Sequence, residues 1–489
     1  MPTAGANTLG DLNDDGEVNV FDLLEFLRIT GGAQAPTEKQ KLLGDTRGDG
    51  SLDTEDLRDI LRHLDTGEAL PPYQGEGVFA LRDHPRLLIS GEELKTLRRK
   101  VRTSLKEPFD RMKSSATRYL RYSPAVSSKK EMRGMVVTMP FIYLMTGDSL
   151  FLKGGVRYLD YALDYLLELT AEQFAGYWEI VELRRNTAFA YDWLFKGMTA
   201  EERAGLGEKI IRAGDAFSDI YNSYSPFGGG GYGGLDILFY PALALAGSAV
   251  QPGKVESWYR WSEETLKIYK SAKSQVAADD GGVEAGMGYA AYNYIRTHIF
   301  DFEMWLGATG ENLLEDNYYL RYFPVWWAWC LRPNGELSKV CDLQSVEGGV
   351  PLWHFKYLAA RYRDPLSQWY VANQSGSAAP EVWDLIWDTS DAGLEPSGPD
   401  STWPLARHFE GTGWVAMRSG WDEDATHAIF KCGDYCYGHE HADQNSFVIF
   451  KQGSLAIESG RYEWESDHRP NYFARTIAHN TVLVYDPEE

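Results

Sequence analysis

Between Gly438 and Asn480 the chain gathers residue types that carry protons or hold metals. The run Gly438-His439-Glu440-His441-Ala442-Asp443-Gln444-Asn445-Ser446-Phe447 is followed by Glu458-Ser459-Gly460 and by His479-Asn480-Thr481. Two histidines one residue apart, directly before the apolar stretch Phe447 to Phe450, share one face if the backbone there is extended. Neutral imidazole is a common metal ligand and also the side chain that titrates nearest neutral pH. Glu458 and a third ring, His479, complete the set of donors. The segment reads as a metal site, an acid/base site, or the two side by side.

Holding such a set in place takes a scaffold, and composition bounds what it can be. The 489 residues exceed one ordinary core and predict about two to four domains. A hydrophobic content of 44% with 13% aromatic residues is that of a globular chain, and no run approaches the ~20 apolar residues of a membrane span. A net charge of −23 argues against nucleic acid or an anionic membrane as partner, since both require a positive field. A polyanionic substrate would have to be met by a local basic cleft. Cys330, Cys341, Cys432 and Cys436 form no Cys-x-x-Cys pair, leaving disulfides and buried thiols both open. The start, Met1-Pro2-Thr3-Ala4-Gly5-Ala6-Asn7, lacks the basic and apolar regions of a signal peptide, so a secreted or cell-surface protein is expected only with that signal trimmed or upstream.

Residues 1–67 contain a repeat at an offset of 34 residues. Asp11, Asn13, Asp15, Glu17, Asn19 and Asp22 align with Asp45, Arg47, Asp49, Ser51, Asp53 and Asp56, with a turn glycine, Gly16 or Gly50, after the third of each. Oxygen ligands at this spacing around a turn glycine are the chemistry that Ca²⁺ requires, and each loop leads into an apolar helix, Phe21 to Ile29 and Leu57 to Leu64. Arg47 stands where a carboxylate or amide is expected, which weakens the second loop. The module resembles a type I dockerin, which implies a cohesin-bearing scaffold as partner. Its fourteen acidic and six basic residues hold −8 of the total charge.

Residues 68–79, rich in Pro and Gly, read as a linker. Apolar residues at three- and four-residue spacing then predict helices over Glu92 to Leu120, Glu131 to Met145, Phe151 to Leu169, Glu182 to Phe195, Ala200 to Tyr221, Val255 to Ser274 and Tyr289 to Leu306. Short connections make neighbours antiparallel, so 80–400 is expected to curl into an all-α, α/α toroid. From about Trp403 the period changes to short runs of β-branched and aromatic residues. Trp414 to Arg418, His427 to Lys431, Ser446 to Phe450, Leu455 to Glu458 and Thr481 to Tyr485 predict an antiparallel β-sandwich over 401–489, and five strands suggest one cut short at Glu489.

Helices followed by His439-x-His441-Ala442-Asp443-x-x-Ser446-Phe447, Ser459-Gly460-x-Tyr462 and His479-Asn480-Thr481 resemble the heparinase II/III-like polysaccharide lyases over about residues 80–489. Ala190-Tyr191-Asp192-Trp193-Leu194, Asp280 to Tyr289 and Arg332-Pro333-Asn334-Gly335 add to the resemblance. It implies β-elimination on an acidic, uronate-containing polysaccharide. Tyr289 and His439 are then the proton-transfer pair, with Tyr292 as the fallback tyrosine. His441, Glu458 and His479 become a structural zinc site, although the family more often has Asp where Glu458 stands. Zinc chemistry suits two imidazoles and a carboxylate, and hydrogen-bonded core histidines are the alternative.

The family's residue for neutralising the substrate carboxylate, an Asn or His before the tyrosine helix, has no counterpart in Phe227-Gly-Gly-Gly-Gly-Tyr232-Gly-Gly-Leu235-Asp236. Tyr232, or Arg184, Arg185 and Asn186, are the candidates to replace it, with Gln444 a further substrate-binding candidate. Trp178, Trp326, Trp327 and Trp329 are either sugar platforms or core. Two rival functions follow from other features: a glycoside hydrolase using Asp279, Asp280 and Glu284, and a non-catalytic glycan-binding scaffold.

Overall fold

The structure, a computed structural model, describes residues 81–169, 178–216, 234–278, 280–347, 350–373, 380–435, 439–463 and 466–482, together with Phe26, Ile29, Arg58 and Leu61. The chain divides into two units, 1–79 and 80–489. In the first, the four described residues are helical, and Phe26 and Ile29 are buried. The proposed calcium ligands Asp11, Asn13, Asp15, Glu17, Asn19, Asp22, Asp45, Asp49, Ser51, Asp53 and Asp56 lie outside the described residues, as do the linker, Tyr232 and the glycine run.

The second unit begins with α1 (Gly91–Lys100), α2 (Lys106–Thr117), α3 (Lys129–Thr146), α4 (Ser149–Glu168), α5 (Trp178–Leu194), α6 (Ala200–Asp215) and α7 (Gly234–Leu245). It continues with α8 (Pro252–Ala277), α9 (Gly286–Tyr289), a π-helical turn over Ala290–Tyr294, α10 (Ile295–Thr309), α11 (Tyr318–Cys330), α12 (Leu352–Tyr362), α13 (Pro365–Asn373) and α14 (Val382–Ile386). Local chemistry sets several boundaries. Ser128 and Glu131 form a reciprocal capping box at the start of α3, Thr199 and Glu202 do the same for α6, and Gly147 ends α3 in the left-handed region at φ 73°. Along α4 the buried residues Phe151, Tyr158, Leu159, Ala162, Leu163 and Leu166 fall on one stripe, so that face goes inward.

The helices pack as two concentric layers. α3, α5, α7, α10, α12 and α14 each touch the next, and α14 returns to α3, which closes a ring. α4, α6, α8, α11 and α13 pack against that ring from outside. Phe189 of α5, Phe300 of α10, Trp353 of α12 and Trp383 of α14 meet one another with ring centroids 4.8–6.4 Å apart, so the inner helices share one aromatic hub.

Two motifs of the sequence do structural work among these helices. Asp192 accepts hydrogen bonds from the backbone N–H groups of Arg86 and Leu87 and contacts His84 Nδ1 at 2.6 Å, while Trp193 Nε1 donates to Leu87 O. The 81–90 segment is thereby fastened to α5. Trp326, Trp327 and Trp329 are core, each no more than 2% exposed.

Among the described residues, five strands follow in one antiparallel sheet, ordered β1 (Ala406–Phe409), β2 (Trp414–Arg418), β3 (His427–Lys431), β4 (Ser446–Phe450) and β5 (Ser454–Ala456). β2 packs on α11, where Trp414 meets Trp326 at 5.5 Å and Arg418 donates to Ala328 O and Leu331 O. Burying aromatics of this size is worth about 1.5–3 kcal/mol each, enough to fix sheet against helix.

The expected single helix over 92–120 is corrected: a turn at 101–105 divides it into α1 and α2, because the apolar pattern continues where the backbone bends. The expected strand at Thr481 to Tyr485 lies mostly outside the described residues, and β1 is additional. Cys330, Cys341 and Cys432 are free thiols. No helix among the described residues is long and apolar enough to cross a membrane.

Candidate active site

Tyr289 ends α9, and the glycines before it explain its position. A Cβ on Gly286 would sit 2.4 Å from Val340 O, and one on Gly288 would sit 2.7 Å from Asp342 O. Only glycine lets the 340–342 strand of backbone run against the helix there. The close approach brings Asp342, from the loop after α11, beside the tyrosine.

The His439 segment arrives from the turn between β3 and β4. The His439 ring stacks on Tyr289 with centroids 3.4 Å apart and planes within 9°. His439 Nδ1 lies 2.7 Å from Asp342 Oδ2, and the Tyr289 hydroxyl lies 2.7 Å from the Tyr462 hydroxyl. Burial holds the His439 pKa below its ordinary 6.5, outweighing the pull of Asp342. At neutral pH the ring is therefore neutral, with a proton on Nδ1 toward the carboxylate and a lone pair on Nε2. Burial raises the pKa of Tyr462, which keeps its phenol protonated.

A second cluster begins on the far side of Asp342. His441 Nε2 lies 3.0 Å from Asp342 Oδ1, and His441 Nδ1 faces Glu458 Oε1 at 2.6 Å and His479 Nε2 at 3.1 Å. His479 Nδ1 contacts Arg475 O at 2.8 Å, a partner that can only accept. His479 Nδ1 therefore carries a proton, and His441 Nε2 donates to Asp342. Two nitrogen lone pairs and a carboxylate thus converge on one point, an arrangement that needs a cation or an extra proton. Burial lowers the His441 pKa, but Glu458 and Asp342 outweigh it and bring the ring up to about 9.

The donor set fits zinc. His441, Asp443, Glu458 and His479 place ligand atoms within 4.8 Å of one another. Two imidazoles and a carboxylate suit zinc by donor type, and His441 Nδ1, His479 Nε2 and Glu458 Oε1 face one another at 2.6–3.4 Å. Glu458 Oε1 and Asp443 Oδ2 are buried with no aligned hydrogen-bond donor among the described residues. Glu458 Oε2 accepts from Cys341 N–H, and Asp443 Oδ1 accepts from the buried Lys431. The longer Glu458 side chain is thus anchored by one oxygen with the other left for an ion.

Arg469, Tyr462 and Asp342 are the residues brought into this cluster that the sequence reading did not name as site candidates. Arg469 donates to both Asp342 oxygens, Nε at 2.9 and 3.1 Å and Nη2 at 2.7 Å, with its guanidinium 5.7 Å over the Tyr462 ring. Burial raises the Asp342 pKa, but hydrogen bonds from His439, His441 and Arg469 outweigh it and bring the carboxyl down to about 2. Tyr462 stands in the Ser-Gly-x-Tyr run, and that was the one available signal.

The substrate-binding candidates fall elsewhere. Arg185 stacks over Phe300 at 4.0 Å, Asn186 Nδ2 donates to Arg133 O, and Arg184 is buried on the same inner helix. Gln444 Oε1 accepts from Gly433 N–H, bracing the turn that carries His439. The side chains of Tyr292 and Trp178, and residue Asp279, lie outside the described residues. Glu284 is buried against Lys273, and Asp280 accepts from Gly282 N–H and lies near Gly411 N–H, so these carboxylates serve packing and a turn rather than a cleft.

Residues 403–489 match a family described as heparinase II/III-like, C-terminal, and this span holds His439, His441, Glu458, Tyr462, Arg469 and His479. Tyr289 and Asp342 lie before it. No curated protein matches the chain. Among solved structures the chain is similar to a heparan sulfate lyase HepC mutant from Pedobacter heparinus, at 17% identity and TM-score 0.40, over 70% of this chain and 51% of that one. It is also similar to the heparinase III BT4657 gene product, at 13% identity and TM-score 0.43, over 95% of this chain and 70% of that one. The chain spans about half the length of the first.

Proposed function

We propose that the protein is a polysaccharide lyase that cleaves a uronate-containing acidic polysaccharide by β-elimination. One observation carries this reading: the Tyr289 ring lies flat on His439 while its hydroxyl meets that of Tyr462, so a neutral imidazole and two phenols share one point. His439 Nε2 takes the proton from the carbon beside the uronate carboxylate. The electron pair of that C–H bond becomes the ring double bond, and the bond to the glycosidic oxygen breaks. Tyr289, hydrogen-bonded to Tyr462, gives its proton to the leaving oxygen. General acid and base groups so placed are each worth about 10²–10⁴ in rate.

Arg469, bound to Asp342 and lying over the Tyr462 ring, is a cation beside the pair that a substrate carboxylate would share with Asp342. Zinc would be held by His441, Glu458 and His479, with Asp443 adjacent, and would supply fixed positive charge that braces the loop. The match over 403–489 supports the same class of protein. A cohesin partner and calcium remain attached to the 1–67 reading alone, and a secreted or cell-surface location goes with a polymeric substrate.

The test is a panel of uronate polysaccharides scored for ultraviolet-absorbing unsaturated ends. At least one should yield them at the rate of chain cleavage. New reducing ends without absorbance would replace the lyase by a hydrolase.

A further inference from the structure

Asp342 touches both halves of the site. Its carboxylate is fully buried, Oδ2 serving His439 and Oδ1 serving His441, with Arg469 across both. Backbone contacts repeat the link. Cys341 N–H donates to Glu458 Oε2, and Asp342 N–H donates to His439 O at 3.2 Å. Cys341 adopts φ 67°, a left-handed conformation unusual for a residue with a side chain, and the neighbouring Asp342 carbonyl is pressed against Gly288. The dipeptide is therefore held from four sides, by α9, by Glu458 after β5 and by both histidines.

Tautomers follow from the sharing. A carboxylate accepts and does not donate, so Asp342 fixes the proton of His439 on Nδ1 and that of His441 on Nε2. The nitrogens left with lone pairs are the one that would attack a substrate proton and the one that would bind an ion.

We propose that Asp342 is a positioning residue that couples the cation site to the proton-transfer pair, setting both imidazole tautomers through one carboxylate. For turnover this rests on the lyase reading, whereas its effect on zinc binding does not. Asp342→Asn keeps the shape but presents one accepting and one donating atom, so it satisfies only one ring.

In the full chain stripped of metal and titrated with zinc against a chromophoric chelator, Asp342→Asn should bind zinc about 10–100-fold more weakly than wild type. With zinc saturating, and on whichever uronate polysaccharide the panel identifies, its kcat should fall about 10²–10⁴-fold with KM within about threefold. Nitrogen-15 histidine spectra of zinc-loaded wild type should show His439 protonated at Nδ1 and bare at Nε2, a readout that does not depend on the variant folding. Unchanged zinc affinity, unchanged kcat, a wild type that binds no zinc, or a His439 proton on Nε2 overturns the proposal. If no polysaccharide is cleaved, the lyase reading fails, and the zinc and spectral arms still decide the role of Asp342.

Discussion

The Tyr462 hydroxyl meets that of Tyr289 at 2.7 Å while its ring packs edge-on against Tyr289 and His439, so the oxygen can be removed with the ring contacts kept. Tyr462→Phe should lower kcat about tenfold to a hundredfold with KM nearly unchanged, measured as the rate of unsaturated product; an unchanged kcat would take Tyr462 out of the proton path. At this scale the sequence showed the histidines but not their organiser. His439 and His441 declare themselves because two rings one residue apart are informative by spacing alone. Asp342 and Tyr462 lie in loops and Arg469 opens a short π-helical turn, and Asp342 is 97 positions from His439, a distance that only the folded chain closes.

The element that sets the site is α9 against the 340–342 backbone. Gly288→Ala would force a Cβ to within 2.7 Å of Asp342 O, a backbone atom that cannot rotate away. Overpacking of this kind costs about 1–3 kcal/mol, and denaturant unfolding should show that loss together with a fall in kcat. Gly205→Ala, on an exposed turn of α6 with nothing within 4 Å, should instead stabilise by about 0.5–1 kcal/mol and leave kcat alone. Helices with one apolar stripe, such as α4, were legible from their period. α7 and α11 were not, since residues 238–245 and 318–330 are largely apolar and buried on several sides, which erases the period. β1 escaped because Ala406–Phe409 is a four-residue edge strand with Arg407 and His408 inside it.

The whole molecule carries histidines that the fold keeps neutral. Burial lowers the pKa of His84, takes His354 well below its ordinary value, and brings His298 and His427 down to about 3. Below the unfolded value of 6.5 the unfolded chain gains protons that the folded chain refuses, so this contribution to stability is lost as pH falls. Glu303 and Asp280, raised by burial, act in the opposite sense, so a difference between two chains isolates one ring. The stability advantage of wild type over His427→Gln should shrink by about 1.4 kcal/mol per pH unit below about 6.5, read from urea unfolding at several pH values. A constant difference would mean that His427 is not held neutral.

The ring of helices, the sheet and the 340–342 loop meet where Tyr289 and His439 stack, and their joint action on a uronate chain is the central claim. The most direct test is a parallel time course of ultraviolet absorbance and reducing ends for wild type, Tyr289→Phe and His439→Ala on the best polysaccharide of the panel. Wild type should raise both signals together, and each variant should lose about a hundredfold or more of both while retaining folded stability. Reducing ends that appear without absorbance, or variants that cleave at the wild-type rate, would contradict it.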